Sequence, residues 1–438
     1  MSYISRVQEA RLLAAFETPL ITGILGPRRV GKSTLIDHYV SQHPEMTYVR
    51  LNMDKLAERE QVEAQQLEKM IVTAIRRHLC VNQPVCITID EAQKCPALFE
   101  QVKVLYDQYK DQNAIKFILT GSALLDLHRL SAESLAGRIN LYYLSAFNLR
   151  EAVQLKNEVS FQQSVFDFIE HEASALQWKA YFYELMPYTP LLQATWLELQ
   201  IWGGLPEVLL SVTKEERLDY LANYLQTYLE KDVRNIESIT DLTLYRNLID
   251  IAAEQTGSVR DDTRIVQALH CHRDTLNKYR GYLQATLMYQ DVHPYIHSTL
   301  KRLVKSPKGY LINNGLVSYL QGISDIDVLK KTGQIGHRIE NWFLNELSVW
   351  LSKKPGKHSV HYWRTTGGAE VDFVVHKPPY VFPFEITNTG FIERQKIQNL
   401  LRFRAYEPKA QWGFYVYGGD FQLDADNKII CIPHWAVC

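Results

Sequence analysis

The octapeptide Gly26-Pro27-Arg28-Arg29-Val30-Gly31-Lys32-Ser33 constrains this chain more than any other segment. It has the form G-x-x-x-x-G-K-S. In that pattern two glycines let backbone N–H groups turn inward around an anion, the lysine reaches the outer phosphates, and the hydroxyl is offered to a magnesium ion. The flanks suit it. Ile21-Thr22-Gly23-Ile24-Leu25 is β-prone, and Ser33 to Val40 reads as a helix whose N-terminus points at the anion. The candidate phosphate-binding segment is therefore Gly26, Pro27, Arg28, Arg29, Val30, Gly31, Lys32, Ser33 and Thr34. The competing reading is a glycine-rich turn.

A second feature strengthens the first. Val85-Cys86-Ile87-Thr88-Ile89-Asp90-Glu91 is an apolar run ending in two carboxylates, as expected of a buried parallel strand. Such strands deliver residues at their carboxyl ends, beside a phosphate loop. ATP and Mg²⁺ are the expected ligands: Ser33 and Asp90 would hold the ion, and Glu91 would polarise the attacking water. Taken alone, Asp90-Glu91 would be an ordinary helix start. Up to about residue 145, strands and helices alternate, implying a parallel sheet covered on both faces. The expected elements are a strand at Tyr48–Leu51, a helix over Glu58–Leu79, a helix over Leu98–Tyr109 and a strand at Ile115–Leu119. That last strand ends in Thr120-Gly121-Ser122, whose hydroxyls either contact the γ-phosphate or lytic water, or merely form a turn. Arg138 is a candidate charge-stabilising arginine, or a surface residue at a strand start.

The chain has 438 residues, enough for two to four domains, and 46% hydrophobic with 22% charged residues is ordinary for a globular protein. Its formal net charge of −1 excludes a globally basic nucleic-acid binder, though not a local basic face. Six cysteines without C-x-x-C spacing argue against a disulfide framework or a zinc ribbon and suit a reducing cytoplasm. His270-Cys271-His272 resembles a metal motif, but adjacent helix residues diverge. No apolar run approaches a membrane span, so no membrane association is expected.

Residues 150–230 read as helical, interrupted at Trp202-Gly203-Gly204-Leu205-Pro206. Leu244–Glu254, Asp262–Ala268 and Arg273–Leu287 read as helices, followed by a small hairpin. The last two, with Arg273, Lys278 and Arg280 on the second, have the shape of a DNA-reading module or of a plain packing module. A helix over Ile335–Leu351 precedes strands at 360–364, 369–375 and 380–387. A helix over Phe391–Tyr406 and a strand at 411–417 follow.

Six segments then occur in order: the loop at Gly26–Ser33, Ile87-Thr88-Ile89-Asp90-Glu91, Leu119-Thr120-Gly121-Ser122, Ala136-Gly137-Arg138, Gly203-Gly204-Leu205-Pro206, and Tyr362-Trp363-Arg364 with Glu370-Val371-Asp372-Phe373. Together they resemble a prokaryotic AAA-type ATPase family with a C-terminal domain of unknown function. The resemblance implies an α/β chain with four parts: a P-loop NTPase domain at 1–148, a helical linker at 149–235, a winged-helix-like domain at 236–328, and a restriction-endonuclease-like domain at 329–438. It also implies that Thr120 and Ser122 occupy sensor positions and Arg138 the nucleotide-responsive position. Among the nuclease-like acidic positions, Glu340, Asp372 and Glu385 match, and clustered carboxylates there would hold a second Mg²⁺. Thr387 stands where that pattern has a lysine, and Lys396 on the following helix is the substitute from another direction.

Three functions follow as alternatives. The first is Mg²⁺-dependent ATP hydrolysis, with Lys32, Glu91, Arg138, Thr120 and Ser122 as the catalytic set, coupled to a degenerate nuclease-like region that touches DNA. The second is a slow nucleotide-dependent switch presenting a surface to a protein partner. The third is an ATP-gated, metal-dependent DNA nuclease. A homo-oligomer is compatible with each, and Arg138 would act in its own subunit or in a neighbour.

Overall fold

Unbroken apolar runs become the middle of a parallel sheet, because a strand covered on both faces has no polar side to present. In the computed structural model these are β1 (Ile21–Leu25) and β3 (Val85–Asp90), buried at every residue. With β2 (Thr47–Asn52), β4 (Ile115–Gly121) and β5 (Ile139–Tyr143) they form a five-stranded sheet in the order β2-β3-β4-β1-β5. Every pairing in it is parallel. This is the mixed α/β, P-loop arrangement expected from the alternation of elements. The structure describes residues 3–81, 84–110, 115–122, 133–157, 159–233, 239–353 and 356–438.

The helices of this unit are α1 (Glu9–Phe16), α2 (Lys32–Ser41), α3 (Leu56–Glu63), α4 (Leu67–Val81) and α5 (Ala97–Tyr109). Val62, Leu67, Ile71, Leu98, Phe99 and Val102 pack with Ile87, Ile89 and Phe117 in one core. The single helix expected over Glu58–Leu79 is instead two. Gln65 adopts φ +58°, which turns the chain so that Val62 and Leu67 both face the core. The Gln101 side chain satisfies the break: its Nε2 donates to Val62 O at 2.6 Å, and its Oε1 accepts from Leu67 N at 3.1 Å. Periodicity does not register a one-residue turn that keeps the apolar stripe in place.

The chain forms two compact units, residues 1–145 with 285–287, and the remainder. The second unit begins with helices, including Ala175–Leu185, Thr189–Trp202 and Lys214–Thr227. The Thr189–Trp202 helix stops at Gly203, whose φ of +66° and close approach to Asn313 favour glycine. Two helices, Asp262–Leu269 and Arg273–Ala285, are separated by His270 at φ +49°. Arg280, read from sequence as a charge on the DNA-facing helix, is buried and paired with Asp262 at 2.7 Å. A guanidinium held in that way is a packing element. Arg273 and Lys278 remain exposed.

A nine-stranded sheet follows, in the order β13-β14-β12-β11-β10-β9-β7-β8-β6. Its strands are β6 (Ser258–Val259), β7 (Tyr289–Pro294), β8 (Lys308–Leu311), β9 (Ser359–Arg364), β10 (Glu370–Lys377), β11 (Tyr380–Ile386), β12 (Gly413–Tyr417), β13 (Gln422–Asp424) and β14 (Ile429–Pro433). The last two extend the region beyond the strands expected from sequence. The Ile335–Ser352 helix lays Phe343 against Phe373 and Phe384, with ring centroids 6.0 and 5.3 Å apart. On the same helix, Glu346 is buried and accepts from Leu149 N at 2.8 Å. Burial, with the nearby Glu151 charge, pushes its carboxyl well above the ordinary range. The helix expected over Phe391–Tyr406 starts at Arg394. Among the described residues no helix is long and apolar enough to cross a membrane.

Candidate active site

Strand order determines which side chains meet. With β4 lying between β1 and β3, the carboxyl end of β4 separates the phosphate loop from Asp90 and Glu91. The register aligns Leu25 with Gly121 and Ile89 with Leu119, so Thr120 falls opposite Asp90. The chain leaves β1 at Gly26, where a Cβ would lie 2.2 Å from Leu144 O and only glycine fits. Arg29 takes φ +60° and Gly31 φ +97°, the left-handed turns that close the loop before α2. Lys32 is buried, and its ammonium donates to Gly26 O and Pro27 O at 2.8 Å each, spanning the loop mouth. Ser33 and Thr34 lie in the first turn of α2, whose backbone N–H groups are directed toward the loop. From the N-terminal segment, buried Arg6 donates to Val30 O at 2.7 Å and to Ser145 O at 2.6 Å, fixing the loop from behind.

Asp90 is buried and receives three donors. Thr120 Oγ1 donates to Oδ1 at 3.0 Å, and Arg50 Nε and Nη2 donate to Oδ2 at 3.0 and 2.7 Å. Arg50 also meets Asp37 at 3.1 Å. A carboxylate offers about four lone-pair directions, so Asp90 keeps capacity for a hydrated cation. Glu91 adopts φ +54°, ψ +41° at the end of β3. Its Oε2 accepts from Ser122 Oγ at 3.0 Å and from Gln93 Nε2 at 2.7 Å. Thr120 and Ser122 therefore grip the two acidic residues, one each.

Arg138 is placed elsewhere. Its carbonyl accepts from Ile21 N, and Ile139 pairs with Ile21, so Arg138 begins β5 at the amino-terminal edge of the sheet. The phosphate loop leaves the opposite edge, beyond Leu25 and Tyr143. At about 3.3 Å per strand residue the two are roughly 16 Å apart. Arg138 is occupied there by Asp107 through two bonds of 2.9 and 2.8 Å.

In the second unit Glu340, Asp372 and Glu385 come together, but around two lysines. Lys308 Nζ lies 3.3 Å from Glu340, 2.7 Å from Glu370 and 3.8 Å from Asp372. Lys396 Nζ lies 3.1 Å from Asp372 and 3.0 Å from Glu385. Thus Lys396 does approach from the following helix, while Thr387 Oγ1 donates to Glu393 at 2.5 Å. Burial opposes ionisation of Asp372, but Lys396 and Lys308 hold it down to about 2. Burial, with the Asp372 charge, pushes Glu385 well above the usual range, and burial raises Glu340 despite Lys308. Burial works against both ammoniums, yet the carboxylates around them raise each. Among the described residues no group of three His, Cys, Asp or Glu side chains is arranged to hold a metal ion. The ammoniums take up the charge that a second Mg²⁺ would have met.

Sequence reasoning missed Arg6, Arg50, Gln93 and Lys308. Arg50 was recoverable in principle, since parallel register pairs Asn52 with Asp90 and leaves Arg50 two residues back on the neighbouring strand. Gln93 stood two residues beyond Glu91. Arg6 and Lys308 carry no local signal, since each acts on residues far away in the chain.

Residues 18–153 match the family described as an AAA domain, residues 193–327 a domain of unknown function (DUF8612), and residues 335–437 another (DUF4143). Two uncharacterized proteins, from Mycobacterium bovis and Mycobacterium tuberculosis, are each 26% identical over 427 residues, covering 97% of this chain and 82% of theirs. Among solved structures, the Walker-type ATPase of Pyrococcus abyssi is 16% identical, with 73% of this chain and 96% of that one covered at a TM-score of 0.47. The ADP form of the Aeropyrum pernix ORC2 protein is 12% identical, covering 76% and 96%, at 0.36. Scores this low carry no functional argument. Residues 18–153 thus match an AAA domain and carry a five-stranded parallel sheet of the P-loop kind.

Proposed function

We propose that the chain binds ATP and hydrolyses it with Mg²⁺, and that this drives or switches a nucleic-acid-interacting C-terminal half. The carrying observation is the pairing of Thr120 with Asp90 and Ser122 with Glu91, on the strand beside the phosphate loop. Lys32 and the backbone amides from Gly26 to Thr34 hold the phosphates. Ser33 and Asp90 would hold the ion. When bound, Mg²⁺ would neutralise charge on the phosphate oxygens. Glu91 accepts the proton of the attacking water, and Ser122 fixes the carboxylate that does so. Arg138 lies at the far sheet edge, so its role is in a neighbouring copy, which makes a homo-oligomer part of the proposal. The expected location is the cytoplasm.

For the C-terminal half we favour a degenerate nuclease-like region. The winged-helix-like pair presents exposed Arg264, Arg273 and Lys278 to DNA. Lys308 and Lys396 satisfy the carboxylates that an active nuclease would need for metal. A slow switch is the second reading, favoured by Glu91 Oε2 already holding two donors. Steady-state ATP turnover of the unaltered chain, Lys32→Ala and Glu91→Gln tests the main reading. Turnover should fall at least about a hundredfold in each variant. Equal turnover in all three would sink it. Strong stimulation by DNA counts against the switch. Plasmid cleavage with Mn²⁺ that is lost in Asp372→Ala would restore the nuclease reading.

A further inference from the structure

Gln93 lies in the single turn Ala92–Lys94, directly after Glu91. Its Nε2 donates to Glu91 Oε2 at 2.7 Å and lies 3.3 Å from Ser122 Oγ. Ser122 Oγ donates to the same Glu91 oxygen at 3.0 Å. Chemistry fixes the amide's orientation. Only nitrogen can face a carboxylate, because the amide oxygen would repel it and has no proton to give. Among the described residues no donor reaches the buried amide oxygen Oε1. A buried acceptor with no partner is unfavourable, and Glu91 itself sits in the left-handed region at φ +54°. Two unfavourable features two residues apart are not what packing alone selects. They are typical of sites where geometry is held for function.

We infer that Gln93 is a positioning residue for Glu91, an assignment that rests on the hydrolytic reading above. Gln93 and Ser122 place both of their hydrogen bonds on Oε2. The other oxygen, Oε1, is thereby turned to the attacking water. In the step it serves, the water oxygen forms a bond to the γ-phosphorus, and the bond from that phosphorus to the β,γ-bridging oxygen breaks. ADP leaves with the bonding electrons, and Glu91 Oε1 takes the water proton before releasing it to solvent. Gln93 touches neither water nor phosphate. It limits the rotation of the carboxylate that does.

The test is a double-mutant cycle read on kcat and KM for MgATP. Gln93→Met keeps the length of the side chain and removes the donor, and Gln93→Ala removes it without added bulk should the first variant fold poorly. Each is expected to lower kcat about tenfold or more, a part of what general-base catalysis contributes, and to leave KM within about threefold. In a Glu91→Gln background the same change should lower the residual rate less than about twofold, because the group being positioned is gone. An unchanged kcat, a loss confined to KM, or an equal loss in both backgrounds overturns the assignment while leaving hydrolysis intact. Failure of the unaltered chain to turn over ATP, or turnover that survives Lys32→Ala, removes the hydrolytic reading and this assignment together.

Discussion

Replacing Lys308 with methionine removes one positive charge from among three carboxylates while keeping most of the side-chain volume. The ammonium lies 2.7, 3.3 and 3.8 Å from Glu370, Glu340 and Asp372, and the side chain is only 6% exposed. At an effective dielectric of about 20, each such contact is worth roughly 4–6 kcal/mol of attraction, much of it offset by desolvation. Removing one partner of a buried pair costs about 3–5 kcal/mol, because the other is left uncompensated. We therefore expect Lys308→Met to lose about 4 kcal/mol at pH 7.5. The sign of the pH dependence follows from the same contacts. Lys308 is raised in the folded chain, so its contribution is present below its unfolded pKa and is lost only as pH rises through the folded one. Asp372 is held at about 2, so its contribution is present above about pH 4 and is lost as pH falls through about 2. Without Lys308 the carboxylates sit higher and protonate first, so the gap between the variant and the unaltered chain narrows from pH 7.5 to pH 4.5. Urea unfolding followed by tryptophan fluorescence measures it selectively, because all eight tryptophans fall between Trp178 and Trp435. A gap below about 1 kcal/mol at pH 7.5, or one unchanged at pH 4.5, would refute the reasoning.

Three further outcomes are expected. Gly26→Ala drives a Cβ to 2.2 Å from Leu144 O, a backbone atom that cannot swing away. It should cost about 1–3 kcal/mol and weaken ATP binding more than about tenfold, measured by titration with a fluorescent nucleotide. Glu346→Gln should stabilise the second unit by about 1–3 kcal/mol at pH 7.5. The amide oxygen still accepts from Leu149 N, and the raised carboxyl otherwise contributes stability that is present below about pH 4 and lost as pH rises through its folded pKa. Urea midpoints for the two chains that coincide at pH 7.5 would contradict this. Arg138→Ala should leave nucleotide affinity within about twofold, since the residue pairs with Asp107 at the far edge of the sheet. A tenfold loss of affinity in a dilute, monomeric sample would show that Arg138 reaches its own phosphates.

Gly26–Ser33 and Asp90-Glu91 were readable because their chemistry is local. A glycine pattern and an apolar run ending in carboxylates need no knowledge of the rest of the chain. The β1 and β3 cores were legible for the same reason. Strand order was not, and strand order decides that Thr120 meets Asp90 and that Arg138 starts at the wrong edge to meet the loop. The break at Gln65 was hidden because it leaves the apolar stripe of α3 and α4 on one side. Glu340, Asp372 and Glu385, grouped by resemblance, lie around Lys308 and Lys396. What fills the space between them was invisible, because Lys308 precedes Glu340 by thirty-two residues and reaches it only through the sheet. Arg280 illustrates the converse: its charge was plain from sequence, while its burial against Asp262 depends on tertiary packing.

The pairing of β7 with β9 covers only His293 with His361 and Pro294 with Tyr362, yet it makes one sheet of strands drawn from both C-terminal family regions. A chain cut between residues 327 and 335 would part along that seam, giving each fragment a raw strand edge where it had a neighbour. The two regions match separate family models but are joined edge to edge. Expression of either one alone should therefore favour aggregates over a soluble domain.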